Sequence, residues 1–202
     1  VSTLQQGMTE LQRHKEMARL IKKYGTPSFG RKIRVDERFS HLAMAIASQQ
    51  LHGKAAQTIW ERMQIAADGP FTAINVLRQP PETWRECGLS GTKVLALLDL
   101  ADAVESNRLD LSKLGRKPED EVISELVQIR GIGPWTAQMF LMFALHRRDI
   151  WPAGDYGVRV GYSLVFGYSD IVSAKELENM ADKYRPWRSL VAWYCWRVAD
   201  DR

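Results

Sequence analysis

Apolar positions recur with a helical period along nearly the whole chain. Met17, Leu20, Ile21 and Tyr24 stand at i, i+3, i+4 and i+7. Phe39, Leu42, Ala43, Ile46 and Ala47 follow the same rule, as do Val94, Leu97, Leu98 and Ala101. That spacing lines one face of an α-helix, and no segment alternates with the period of two that a half-buried strand needs. Helix starts are also visible. Pro118 precedes Glu119, Asp120 and Glu121, acids that a helix dipole favours in the first turn. Ser173 to Glu176 forms a capping box, with Leu177, Met180, Ala181 and Tyr184 on one face behind it. Breaks fall at residues 25–30, 68–70, 79–81, 87–91, 107–118 and 151–157, where glycine, proline and small polar residues gather. The pattern predicts an all-α chain of about eight to ten short helices.

The stretch 126–140, LVQIRGIGPWTAQMF, is the most informative. A helix running through Val122, Ile123, Leu126, Val127 and Ile129 meets Gly131-Ile132-Gly133 and then Pro134. Glycine permits a tight turn and close approach of another backbone. Proline suits the first position of a new helix, where its missing N–H costs nothing. That second helix, from Trp135 to Leu145, is apolar nearly all round and is expected to be central and buried. The turn leaves backbone N–H groups at a helix start, which bind phosphate; read alone, it is equally a plain helix–helix connection. A Pro/Gly-rich loop follows at 149–157 and contains Asp155, 22 residues after Gly133. Asp155 is a natural N-cap for a helix starting near Tyr156. A cap also holds its carboxylate rigidly, so a structural and a catalytic role are compatible.

Composition narrows the chemistry. Of 202 residues, 45% are hydrophobic and 26% charged, the profile of a folded globular chain rather than a disordered one. The longest apolar run, Met139 to Leu145, is far too short to span a membrane. The N-terminal residues carry no apolar signal segment, and a reducing cytoplasm is the expected compartment. Cys87 and Cys195 have no partners at metal-ligand spacing, which excludes a cysteine zinc site, a four-cysteine iron–sulfur cluster and a disulfide framework. A net charge of +4 permits a polyanionic partner without demanding one. Five of the seven tryptophans (Trp135, Trp151, Trp187, Trp193, Trp196) fall in the last third, and tryptophan both packs cores and stacks on flat ligands.

Taken together, the hairpin, the loop ending in Asp155, the segment Ala45–Leu51 and the tail 185–196 resemble the helix-hairpin-helix (HhH-GPD) DNA glycosylase superfamily. Within it they resemble the 3-methyladenine DNA glycosylase II branch. The resemblance implies a two-lobed helical fold with DNA in the cleft. One lobe would be residues 39–158, with the hairpin at 126–145 and the catalytic loop at 149–157. The other would be residues 1–38 and 159–202. The N-terminal part reads as too short and too helical for the β domain of longer members.

The resemblance also implies the site. Asp155 would stabilise the oxocarbenium-like sugar that forms as an N-glycosidic bond breaks. Trp135 and Trp196 would line the pocket of a flipped base, where an indole face favours a cationic alkylpurine. Met139 stands where the branch carries a tyrosine, so the pocket is less aromatic there. Gln49, Gln50, Leu51 and His52 would form the wedge that fills the gap left by the base. Gly131, Ile132 and Gly133 would hold a DNA phosphate, with Arg130, Arg147, Arg148 and Arg159 as further backbone contacts. No cofactor is required, although the carbonyls of Val127, Ile129 and Ile132 could ligate a structural Na+ or K+.

Lyase members carry an attacking lysine at the position of Trp135. No lysine occurs here between Lys117 and Lys175. The expectation is therefore a monofunctional, monomeric, cytoplasmic and nucleoid-associated hydrolase. It would release 3-methyladenine, and also 7-methylguanine, from double-stranded DNA to leave an abasic site in base excision repair. Two alternatives stay open: a glycosylase of the same fold for uracil, hypoxanthine or oxidised bases, and a non-catalytic hairpin DNA-binding protein.

Overall fold

In the computed structural model, which describes residues 4–51 and 53–202, the helical period becomes helix throughout. The order is α1 (Leu4–Leu11), α2 (Lys15–Tyr24), α3 (Arg38–Ser48), α4 (Gly53–Ala66), α5 (Ala73–Arg78) and α6 (Pro81–Glu86). Then come α7 (Gly91–Glu105), α8 (Glu119–Leu126), α9 (Pro134–Met139), α10 (Tyr156–Phe166), α11 (Ala174–Met180) and α12 (Arg188–Asp200). Among the described residues there are twelve α-helices and no strand, more helices than the pattern indicated. Three of them, α5, α6 and α9, have six residues each, and α5 and α6 are too short to display a periodic face. Among the described residues, no helix is long and apolar enough to cross a membrane.

The chain divides into two units. One is contiguous, Lys32–Phe140. The other joins the chain up to Arg31 with Leu141–Arg202. The loop carrying Asp155 therefore belongs with the two termini, whereas the resemblance had placed it with the contiguous lobe.

In the contiguous unit the periodic residues of α3 are all buried, and Leu97, Leu100, Val122 and Leu126 join them. Phe71 is ringed by Trp60, Phe39 and Trp84 at centroid distances of 4.7, 6.0 and 6.0 Å. Buried Arg38 satisfies the carbonyls of Leu111 and Ser112 through Nη1, tying the segment before α8 to α3.

The other unit is organised by α12. Trp187 packs so closely on α1 that a Cβ at Gly7 would lie 2.5 Å from its ring. Gly161 of α10 meets the backbone of α12: an added Cβ would stand 1.9 Å from the Cys195 carbonyl oxygen. The capping box forms as expected, Ser173 Oγ accepting from Glu176 N (3.2 Å) and Glu176 Oε2 from Ser173 N (2.9 Å).

The apolar helix after the hairpin is interrupted. The α-helix stops at Met139 and the chain continues as a π-helical turn, Phe140–Ala144. Phe140, Leu141, Met142, Ala144 and Leu145 are buried as expected, but Trp135 at its start is half exposed.

Candidate active site

Asp155 is the N-cap of α10. Its Oδ1 accepts the Val158 N–H at 2.8 Å, the bond that satisfies an otherwise orphaned donor of the first turn. The same oxygen accepts the Trp196 indole N–H, also at 2.8 Å, from the far end of α12. Two donors in different helices thus fix one carboxylate oxygen. Gly157 makes room for this: a Cβ there would crowd Trp196 Cδ1 at 3.0 Å and Asp155 Oδ1 at 3.3 Å.

The loop leading to Asp155 is anchored along its length. Asp149 accepts from Arg188 Nε (2.7 Å) and from Arg185 Nη1 (2.9 Å). Ile150 N donates to Ser189 Oγ (2.9 Å), and the Trp151 indole N–H to the Leu177 carbonyl (2.9 Å). Asp155 N donates to the Pro152 carbonyl (2.9 Å). A partly buried carboxylate on a loop held this way is preorganised to stabilise positive charge.

Trp196 presents its N–H edge to Asp155 and one face to Phe143, with centroids 5.9 Å apart and planes 28° apart. Phe143 in turn meets Phe29 at 5.7 Å, and the Arg148 guanidinium lies 4.8 Å over the Phe29 ring. Sequence reasoning expected Trp196 to act by its face alone, and it missed Phe29 and Phe143. Phe143 sits in the continuous apolar run and reads as core; the signal was its neighbourhood, which only folding supplies. It also passed over Tyr156, 63% exposed beside the carboxylate. Cys195 next to Trp196 is buried, and burial pushes its thiol up, so it stays neutral and is no competing nucleophile.

The expected hairpin and wedge residues, with Trp135 and Met139, lie in the contiguous unit. Trp135, half exposed, occupies the first turn of α9, and Met139 ends that helix. Gly131 adopts the left-handed φ of +75°, and a Cβ there would come within 2.8 Å of Ala96 Cβ, so both the conformation and the space require glycine. The Ile132 N–H is spent inside the turn on the Ile129 carbonyl (3.0 Å), which removes it from the donors expected for a phosphate.

Val127, Ile129 and Ile132 all line one open hollow of about 390 Å³ formed by residues 127–133. A donor set of backbone oxygens fits a hard cation such as Na+ or K+ and not a thiophilic metal. Among the described residues no cluster of three acidic, histidine or cysteine side chains offers a metal site.

Gln49 and Gln50 follow α3, with Gln50 at φ +57°, and Leu51 closes the turn through its N–H to the Ser48 carbonyl (3.1 Å). His52 lies outside the described residues. Gln49 Nε2 donates to the Gly131 carbonyl at 2.8 Å, so the turn and the hairpin touch. Among the arginines, Arg159 Nε is committed to the Val172 carbonyl (2.7 Å), a structural bond that weakens its case as a DNA contact.

Comparison with known proteins places this geometry in context. The family described as HhH-GPD superfamily base excision DNA repair protein matches residues 43–186, a range containing the Gln49 turn, the hairpin and Asp155. The chain is similar to DNA-3-methyladenine glycosylase 1 of Schizosaccharomyces pombe, 34% identical over 184 residues that cover 90% of this chain and 81% of that protein. Among solved structures it is similar to S. pombe 3-methyladenine DNA glycosylase (Mag1) in complex with abasic DNA. There the TM-score is 0.85, the identity 32%, and 96% of each chain is covered. A DNA-3-methyladenine glycosidase from Bacillus halodurans also gives a TM-score of 0.85 at 28% identity, covering 98% of this chain and 89% of that one.

Proposed function

Because this chain belongs to the HhH-GPD superfamily of base excision DNA repair proteins, we propose that it is a DNA glycosylase for alkylated purines, 3-methyladenine first among them. The observation that carries this reading is the Asp155 carboxylate, fixed through Oδ1 by Val158 N and Trp196 Nε1 at 2.8 Å each. For DNA binding alone the charge is a liability, since like charge repels phosphate and an uncharged asparagine would cap α10 as well.

In this reading the damaged nucleotide is turned out of the duplex. The C1′–N bond breaks, its electron pair leaves with the base, and the sugar becomes cationic. Asp155 stabilises that cation and orients a water, which adds to C1′ and gives up a proton to the solvent. An alkylated purine already carries positive charge and leaves as a neutral base, so modest assistance suffices. Water is the nucleophile because no lysine occurs between Lys117 and Lys175. The half-exposed Trp135 at the start of α9 is suited to stack on an extruded base, and Met139 ends the same helix. Gly131 and Gly133 contact the backbone phosphate. A Na+ or K+ held by the carbonyls of Val127, Ile129 and Ile132 would add positive charge there. The protein acts as a monomer on double-stranded DNA.

The deciding experiment offers duplexes with a single 3-methyladenine, 7-methylguanine, hypoxanthine or uracil and scores strand breaks with and without alkali. Release of 3-methyladenine with breaks only after alkali is expected. Breaks without alkali overturn the hydrolytic mechanism, and release of no base overturns the glycosylase.

Two further outcomes follow from the site. Trp196→Phe keeps a ring against Phe143 but loses the N–H donor to a charged acceptor. Such a bond contributes about 1.5–3 kcal/mol, so single-turnover excision should fall about ten- to a hundred-fold. Binding of abasic DNA, measured in a salt series, should weaken linearly in log–log form with a slope of about −0.9 per phosphate contacted. A flat series would remove the phosphate contacts from this reading.

A further inference from the structure

One helix of the contiguous unit reaches both segments assigned above to DNA. Near the start of α7, Lys93 Nζ donates to the carbonyls of Ala47 (2.8 Å) and Gln49 (2.6 Å), at the end of α3 and the start of the wedge turn. Three residues on, Ala96 is buried and fills the space that a Cβ at Gly131 would need. Three residues further, Asp99 Oδ2 accepts the Arg130 N–H of the hairpin at 2.6 Å. The Asp99 carboxylate is itself held from the other side, Oδ1 accepting from Arg108 Nη2 at 2.7 Å. Positions three apart are neighbours on a helix surface, so these contacts form one stripe about 9 Å long. Gln49 Nε2 closes the circuit on the Gly131 carbonyl.

We propose that α7 is a positioning element that locks the wedge turn and the hairpin in one register, with Lys93 as the clamp on the wedge. The inference rests on the glycosylase reading above and deepens it. The carbonyls at a helix C-terminus have no intrahelical partners, and a cation there satisfies them and complements the dipole. A wedge in a base stack is pushed back by the pairing and stacking it replaces. A turn that yields under that load leaves the base inside the duplex, whereas a clamped turn transmits the load to α7 and through it to the hairpin on its phosphate. Lys93 therefore acts on extrusion of the base and not on cleavage of the glycosidic bond.

That distinction is measurable, because extrusion costs least for a base that is already unpaired. Excision is measured on two duplexes, with 3-methyladenine opposite thymine and opposite an abasic site. Lys93→Met is expected to lose about ten- to a hundred-fold on the first duplex, as two charge-assisted hydrogen bonds are removed, and no more than a few-fold on the second. Lys93→Arg, which keeps donors within reach of the carbonyls, should restore most of the loss. Equal losses on both duplexes, or none on either, overturn the clamp. If Lys93→Met does not fold, Asp99→Leu, which removes from α7 the acceptor of the Arg130 N–H, carries the same comparison with the same criteria. Wild-type protein that releases no base from either duplex overturns the glycosylase reading, and this inference with it.

Discussion

Asp155→Asn is expected to lower excision of 3-methyladenine about 10²- to 10³-fold while leaving affinity for abasic DNA intact or slightly improved. Asparagine has nearly the same shape and is as good an N-cap as aspartate. Its side-chain oxygen can still accept the Val158 and Trp196 donors that now meet at Oδ1. What disappears is the negative charge, and with it the electrostatic stabilisation of the cationic sugar. A single preorganised group of this kind commonly supplies about 2.7–4 kcal/mol of the barrier, which sets the size of the loss. Removing a negative charge near the phosphate backbone cannot weaken binding through repulsion, so the two readouts should separate. Single-turnover excision and a binding isotherm on the same preparation check both. A variant within a few-fold of wild type in excision would take Asp155 out of the chemistry.

Gly161→Ala is expected to damage both stability and activity, although residue 161 lies six positions from Asp155. The added Cβ would lie 1.9 Å from a backbone oxygen of α12, and no flexible side chain can move aside to relieve it. Helices α10 and α12 must therefore separate, and overpacking of this sort costs about 1–3 kcal/mol, sometimes more. For a chain of this size that corresponds to a fall in Tm of about 2–12 °C. Asp155 caps α10 and Trp196 stands on α12, so separation also stretches the 2.8 Å bond between them. Gly154→Ala serves as the comparison, because nothing lies within 4 Å of the Cβ it would add. Thermal melting of the two variants should differ clearly. An unchanged Tm for Gly161→Ala would mean that the α10–α12 contact is looser than described.

Local rules account for much of what is seen. The stripes of α2 and α3 bury the positions that their spacing selected, all but Tyr24 at the end of α2, because a 3.6-residue period puts them on one face whatever they pack against. The Ser173 box and the Asp155 cap form because each needs only a side chain and an N–H three residues away. Gly131 is required by its own φ.

Other features are invisible to such rules. The short helices α5 and α6 show no periodic face. The break into a π-helical turn after Met139 interrupts a run that reads as one continuous helix. The unit boundaries at Arg31 and Phe140 depend on which helices pack together, and they place the Asp155 loop with the chain termini.

The division between sequence and tertiary structure follows the range of the forces involved. The chain by itself determined an all-α fold, a hairpin with its glycines, and a carboxylate held at the start of a helix, since all three arise from residues a few positions apart. Only the tertiary structure decided that Trp196, 41 positions away, would aim its N–H at that carboxylate, that Phe143 would cover its face, and that Lys93 would hold the turn at Gln49. Those pairings depend on where α7, α10 and α12 come to rest, and a helix's resting place is set by packing against distant partners, which periodicity along the chain does not encode.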